Sequence, residues 1–493
     1  MKTVHVMLFA SLLILSISSL AMRRMIVIAS PSVIYVSPGQ SIQTAINTAN
    51  PGDTIFVYSG TYTEDISLNK DVYLVGEDRD STILFSVKAS STIDISANGA
   101  SVSNFTIRNT SPAGNGIFIH SVGNVTISNT EIMNSYDGLV TYTSLDDQIW
   151  GNIFVNNSDS GMGLYISSNS VISDNNISQN SVGVTLYSSI NNVFSGNTIS
   201  GNGAGLNLVD SSNNDLFYHN NFINPIQVLS DSNDTWSYLG EGNYWSNYVG
   251  HDAKGDGIGD IPYNVAINNV DPYPLVGTFY DFTASSLNLT FNVFIESNTT
   301  VSSIAYEVGQ ETGNKIIHFD VADEAEGTGF CRLMIPNGLM SPPYIVLNGE
   351  GEGTYKQLSA TNATNTYLYL TYSNANQTIT LISSETLQLY QQLAEELFGN
   401  QTTLLGYLQS LNVTSQGLLA NNTNLLALFN QLLNSYESLN SSYQQQLSAY
   451  SANTQDLQNL TYIFAATTVV FLITTVYLSR RAHTRPKQRT SDS

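Results

Sequence analysis

Gly116-Ile-Phe-Ile, Gly138-Leu-Val-Thr, Gly163-Leu-Tyr-Ile, Gly183-Val-Thr-Leu and Gly205-Leu-Asn-Leu recur through the middle of a 493-residue chain, their glycines 22, 25, 20 and 22 residues apart. Between them lie Asn-rich stretches such as Asp174-Asn-Asn-Ile177 and Ser195-Gly-Asn-Thr-Ile199. Self-similarity at this period marks a solenoid, in which each unit buries its apolar face only against its neighbours. A leucine-rich repeat has a similar period but needs a leucine pattern that is absent here. β-Branched residues alternating with Asn, Ser and Gly suit short strands joined at tight corners. Asparagines stacked at one corner of successive turns can bond to one another and to the turn backbone. The expectation is a mainly β protein built on a right-handed parallel β-helix. About eight or nine coils should span residues 54–245, with Ile177, Val184, Ile199 and Leu206 pointing inward.

An open end of such a coil exposes strand edges and needs a cover. Residues 36–62 supply one: Ser41 can cap a helix whose Ile42, Ala45, Ile46 and Ala49 form one apolar face, stopped by Pro51-Gly52. The strand Thr54 to Val57 then begins the first coil. This segment, with Gly60-Thr-Tyr-Thr-Glu64 and Val72-Tyr-Leu-Val-Gly-Glu77, resembles the start of pectin-lyase-like β-helices, most of all the NosD-type periplasmic copper-binding family. The resemblance runs through the repeats over residues 34–276. It ends in Gly242-Asn-Tyr-Trp-Ser-Asn-Tyr248, Asp256-Gly-Ile-Gly-Asp-Ile-Pro-Tyr263 and Asp271-Pro-Tyr-Pro274. The remainder resembles archaeal surface proteins only in architecture.

Beyond the repeats the pattern changes twice. Residues 278–383 carry alternating stretches such as Leu289 to Ile295, Lys315 to Val321 and Tyr367 to Tyr372, which predict a small antiparallel β-sandwich without a polar constellation of its own. Residues 384–459 predict a long coiled-coil stalk. Leu397, Leu404, Leu411, Leu418, Leu425, Leu432 and Leu439 stand seven apart, weakened by Gly399, Gly406 and Gly417. A leucine stripe of this kind implies a homo-oligomer.

Both ends point to a membrane. Residues 1–29 read as a signal peptide, with Lys2 ahead of an apolar run and small residues near Ala21 or Ala29. Residues 460–478 are uncharged and predict one transmembrane helix, followed by a basic tail, 479–493, placed in the cytoplasm by the positive-inside rule. Sequons at Asn104, Asn124, Asn176, Asn288, Asn376, Asn412 and Asn440 agree with an extracellular ectodomain.

Charge excludes one partner class. The chain has 39 acidic and 16 basic residues, and only eight of the basic ones lie between positions 30 and 479. Such a surface repels phosphate backbones, so no nucleic-acid binding is expected. Cys331, the single cysteine, reads as a small buried apolar group.

Candidate chemistry is sparse, and each candidate has two readings. The resemblance admits polysaccharide lyases and hydrolases. A lyase needs a base and acidic calcium ligands, and the coils offer only Lys70, Arg79, Lys88, Arg108 and Lys254. A hydrolase needs two carboxylates; Asp146 and Asp147 are adjacent, with Asp137, Asp159 and Asp174 on neighbouring coils, or all five are solvated loop acids. Copper is implied by the family name alone, since His120, Met133, Met162, His219 and His251 lack ligand spacing. Asp252, Asp256 and Asp260, four apart among glycines, read either as a calcium loop or as a metal-free turn. Trp236, Tyr238, Tyr244, Trp245, Tyr248 and Tyr263 read as an aromatic platform for sugars or as a cap on the last coil. The reading that best joins these features is a membrane-anchored, non-enzymatic surface protein contacting polysaccharide or protein. A surface carbohydrate-active enzyme and a copper-related accessory protein are the alternatives.

Overall fold

The computed structural model describes residues 31–309, 313–322, 328–349, 351–373, 376–383, 397–407, 423–449, 465–477 and 479. The predicted signal peptide and nearly all of the basic tail lie outside the described residues. The chain divides into two compact units, Met1–Val171 with Asn176–Ile190, and Ile172–Asn175 with Asn191–Ser493.

In the first unit, three parallel sheets each gain one strand per coil. One runs from Val33–Val36 to Gln148–Trp150, the second from Ile66–Leu68 to Val182–Tyr187, and the third from Gly60–Thr63 to Asn176–Ser178. The second unit continues the plan with Val193–Ser195, Thr198–Ser200 and Ala204–Val209, then Leu216–Tyr218, Asn221–Ile223 and Ile226–Ser230. Among the described residues, eight complete coils lie between Thr54 and Ser230, a parallel β-helix of right-handed type. Ile177, Val184, Ile199 and Leu206 are fully buried, as the alternation requires.

Two devices make the repeat. One is the corner glycine. Leu139 pairs with Met162 and Met162 with Val184, so the repeating glycine is Gly161, not Gly163, and the spacing becomes a regular 22, 23, 22 and 22. A Cβ on Gly138 would stand 2.4 Å from the Gly161 carbonyl oxygen, and one on Gly161 would stand 2.8 Å from that of Gly183. Stacking therefore excludes any side chain there. The other device is the asparagine ladder. In the second unit, Asn175, Asn197 and Asn220 each send their backbone N–H and Nδ2 to the Oδ1 of the asparagine one coil on. Asn157 does the same to Asn180 in the first unit.

Both ends of the β-helix are closed. Helix Ile42–Thr48 is capped by Ser41 and buries Ile42, Ala45 and Ile46. Glu64 also accepts from the N–H groups of Ile42 and Gln43, while Lys70 donates to the carbonyls of Ile46, Asn47 and Ala49. Opposite charges thus meet opposite helix ends. At the far end the ladder stops on Asp271, whose Oδ2 accepts from Asn243 N and from Trp245 Nε1 at 2.8 and 2.9 Å. Trp236 and Trp245 stack on Phe217 and Phe222 at 4.5 and 4.4 Å and are 1% exposed. These tryptophans are the cap of the apolar core, not an open platform.

The sandwich is present as two five-stranded antiparallel sheets. One holds Thr278–Ser286, Leu289–Ser297, Thr328–Pro336, Asn365–Ser373 and Tyr355–Gln357; the other holds Thr300–Val308, Lys315–Ala322, Gln377–Ser383, Tyr344–Asn348 and Gly351–Gly353. Cys331 is fully buried in their common core, where burial pushes its thiol up to about 11. In the same unit Asn221 of the β-helix holds the Phe279 backbone through two bonds of 2.7 Å.

The predicted coiled-coil stalk is described only in part. Its described parts, 397–407 and Thr423–Ala449, are helical, and the rings of Phe398 and Tyr436 lie 6.3 Å apart. On one straight continuous helix those residues would be about 57 Å apart, so Phe398 and Tyr436 do not lie on one such helix. Leu404 and Leu439 are exposed; Leu411 and Leu418 lie outside the described residues. Of the expected transmembrane helix, 465–477 is described and helical, with Phe471 6.4 Å from Tyr436. Among the described residues, no helix is long and apolar enough to cross a membrane.

Candidate functional site

The outward face of the second sheet of the first unit carries a column of aromatic residues. Strict register places His120, Tyr142, Tyr165 and Tyr187 in one column, one per coil. Tyr142 and Tyr187 are exposed, and the Tyr165 and Tyr187 rings lie 6.2 Å apart. Gly163 has its role here: a Cβ would stand 2.7 Å from the Tyr165 ring, so glycine lets that ring lie back across the strand. His120 stacks on Phe118 at 5.1 Å and its Nε2 bonds Asp94 at 3.0 Å. Beside the column at the next corner stand Leu145 and Ile190, both exposed and joined through Ser168 by parallel bridges.

Two acids border this face. Ser160 N donates to Asp137 Oδ1 at 2.9 Å, and Asp159 N donates to the Tyr136 carbonyl at 2.8 Å, which sets the two acids on neighbouring coils. Burial, with the Asp159 charge adding to it, pushes the Asp137 carboxyl up to about 6. The Asp159 charge also raises the Tyr136 phenol, which it hydrogen-bonds. The adjacent pair Asp146 and Asp147 does not converge. Asp147 is fully buried, accepts from Val125 N and Ser144 Oγ, and is pushed up to about 6 by burial, whereas Asp146 sits at a left-handed corner with φ 60°. Asp147 is thus a member of the corner ladder.

Asp252, Asp256 and Asp260 form a loop whose bonds are largely internal. Asp252 accepts from the N–H groups of Gly255, Asp256 and Gly257, Asp256 accepts from Ile258 N, and Asp260 accepts from Ala253 N. Lys254 Nζ stands 2.7 Å from Asp260 Oδ1 and holds that carboxyl below its ordinary range. Lys356 of the sandwich donates to the carbonyls of Lys254 and Gly255 at 2.7 and 3.1 Å. Two ammonium groups therefore supply positive charge to this loop. Gly257 is required for packing: its φ is 85°, and a Cβ would stand 2.5 Å from Arg332 and Glu296.

That contact leads to a cluster the sequence did not reveal. Glu241 on the β-helix bonds Arg332 on the sandwich, and its other oxygen bonds His219 Nε2 at 2.6 Å. Glu296 is 2% exposed, 3.8 Å from Arg332, and accepts from the N–H groups of Val276 and Gly277. Burial pushes Glu241 upward, but the His219 bond and the Arg332 charge outweigh it and hold this carboxyl at about 2. Burial pushes Glu296 well above the carboxylate range. The members span 114 residues without periodic spacing, so no sequence pattern signals them.

Among the described residues, copper finds no fitting donor set. The Nε2 atoms of His120 and His219 are each engaged by a carboxylate, and Met162 is buried in the core. Among the described residues, no three His, Cys, Asp or Glu side chains come together to hold a metal.

Residues 46–250 match the family model described as periplasmic copper-binding protein (NosD). The probable ABC transporter binding protein NosD of Stutzerimonas stutzeri is 44% identical over 46 residues, which are 9% of this chain and 10% of that protein. The chain thus aligns with about a tenth of its curated relative's length. Solved structures include an alginate lyase from Paenibacillus sp. (10% identity, TM-score 0.32, covering 44% of this chain and 98% of that one) and pectate lyase Pel9A (14%, 0.31, 47% and 84%). Likenesses this distant carry no functional argument. Residues 46–250 of this chain thus match the NosD family model and fold as stacked parallel coils.

Proposed function

We propose that this chain is an extracellular, membrane-attached β-helix protein that holds polysaccharide without cleaving it. The observation that carries this reading is the outward column of Tyr142, Tyr165 and Tyr187 on a rigid sheet, in a region whose most deeply buried acids are spent on corner bonds. Aromatic rings held by a fixed backbone present flat faces to sugar C–H groups without an ordering cost. Membrane attachment rests on the uncharged run 460–478 and the basic residues after it. Assembly into a homo-oligomer rests on the exposed leucines of the helical region.

A second reading, a glycoside hydrolase, has one observation in its favour. Asp137, whose carboxyl burial pushes up to about 6, and Asp159 stand on neighbouring coils, as the two carboxyls of an acid pair would. A binding and degradation screen of the full detergent-solubilised chain against neutral and acidic polysaccharides separates the two. Binding without new reducing ends is expected. Turnover abolished by Asp137→Asn or Asp159→Asn would establish the hydrolase instead. Carbonate extraction of membranes tests attachment: the protein should stay in the pellet, and release into the supernatant would refute it.

A further inference from the structure

We propose that Tyr142, Leu145, Tyr165, Ile166, Tyr187 and Ile190 form the binding ridge for a neutral polysaccharide lying along the coil axis, with sugar rings placed coil by coil. This rests on the glycan reading above and adds the ligand's class, its place and its direction.

Register supports the direction. The tyrosines pair in strict parallel register, and Leu145, Ser168 and Ile190 form a second column joined by bridges. Successive coils are about 4.8 Å apart, comparable with the length of one pyranose in an extended chain. A polymer laid along the axis therefore meets an equivalent set of side chains at each residue, whereas one laid across it meets each column once.

Exposure and strain show that the ridge does not serve the core. Tyr142, Leu145 and Ile166 are each 47% exposed, and Tyr187 and Ile190 are 40% exposed. Ile166 has φ 54°, a left-handed conformation that a β-branched residue adopts only at a cost of about 1–3 kcal/mol. The coil geometry imposes that conformation, since Ser121, Thr143 and Ser188 in the equivalent corners have φ of 55°, 55° and 49°. Asparagine would accept it more readily. An isoleucine that is both strained and half in water contributes little to stability, and its apolar surface is available to a ligand.

Charge selects the class. The strands Leu139–Tyr142, Ser160–Tyr165 and Val182–Tyr187 contain no Lys or Arg, and Asp137 and Asp159 border them. A polyuronate would bring carboxylates to an acidic edge whose three strands carry no Lys or Arg to receive them. A neutral sugar can instead donate its hydroxyls to Asp159 while its C–H face covers the rings.

The test is isothermal titration of the full chain with cello- and xylo-oligosaccharides against oligogalacturonate and oligoalginate. Tyr142→Ala with Tyr187→Ala should weaken neutral binding at least about tenfold, a large effect on the affinity scale, with the melting temperature little changed. Ile166→Asn should weaken binding and raise the melting temperature, a combination that a purely structural role for Ile166 would not give. Stronger binding of the acidic oligosaccharides, or neutral binding that survives the double substitution, would overturn the ridge while leaving the glycan reading standing. No binding to either class would overturn both. Self-association abolished by the same substitutions, without glycan binding, would show that a second copy covers the ridge and would also overturn the proposal.

Discussion

Asn197 is a fully buried link in the ladder, and removing its side chain has a calculable consequence. Its Oδ1 accepts from Asn175 N at 3.0 Å and Asn175 Nδ2 at 2.9 Å. Its Nδ2 donates to Ile172 O at 2.8 Å and Asn220 Oδ1 at 2.9 Å. In Asn197→Ala the Asn175 N–H and the Ile172 carbonyl both lose these partners inside the coil, and a buried group that loses its bond costs about 1–3 kcal/mol. A loss of about 3–5 kcal/mol is expected for the variant, near the upper end for a single substitution. Asn176→Ser, on an exposed residue of an outer face, should cost less than about 0.5 kcal/mol. Asn197→Asp separates hydrogen bonding from volume, because it keeps the acceptor but points a second acceptor at Ile172 O and Asn220 Oδ1. It should be strongly destabilised at pH 8 and partly restored near pH 4, where the protonated carboxyl can donate. Urea unfolding followed by far-UV circular dichroism reads the size of the loss. Hydrogen exchange of the coil peptides reads its location, since solenoids can open locally. An Ala variant within about 1 kcal/mol of the parent, or an Asp variant equal to it at pH 8, would refute the ladder as a stabilising element.

Other outcomes follow from the buried charges. Asp215 and Asp281 are pushed up to about 7, and Asp137, Asp147 and Asp271 to about 6, in each case chiefly by burial. A carboxyl raised on folding makes the folded state bind more protons than the unfolded state between its two pKa values, so stability falls as pH rises through 6 and 7. The melting temperature should therefore be higher at pH 5 than at pH 8, and Asp215→Asn should flatten that slope; an unchanged slope would remove Asp215 from the account. Glu241, held at about 2, stays ionised throughout this window and adds nothing to the slope. Arg332→Met leaves Glu241 without its guanidinium and should cost about 3–5 kcal/mol, whereas a melting curve like that of the parent would show the cluster to be dispensable. Calcium at millimolar concentration should leave the melting temperature unchanged, because Lys254 and Lys356 already serve the Asp252–Asp260 loop. A saturable rise would restore Asp252, Asp256 and Asp260 as ligands.

Legibility in this chain follows from where spatial neighbours lie in the sequence. In the coils the neighbour of a residue is about 22 positions away, so glycine, asparagine and β-branched residues repeat at that offset and announce the stack. The cap helix was legible for another reason: Ser41, the apolar face and Pro51-Gly52 act within one short segment. Even so, the choice between Gly161 and Gly163 needed the register, because both glycines lie in one strand and only Gly161 meets the next coil's carbonyl.

The amino-acid sequence by itself determined the parallel coil, its period, its inward residues, its end cap and the antiparallel sandwich, since each arises from local alternation or translation by a fixed offset. Tertiary structure alone decided which aromatic residues are open and which are closed. Trp236 and Trp245 are buried because the last coil presents Phe217 and Phe222 to them, while Tyr142 and Tyr187 face outward because their strand parity points them away from the core. It also decided that Glu241, Glu296, Arg332 and His219 meet, and that Phe398 lies against Tyr436. Those contacts join residues at unrelated offsets, and the burial that gives them their energy exists only after the elements have packed.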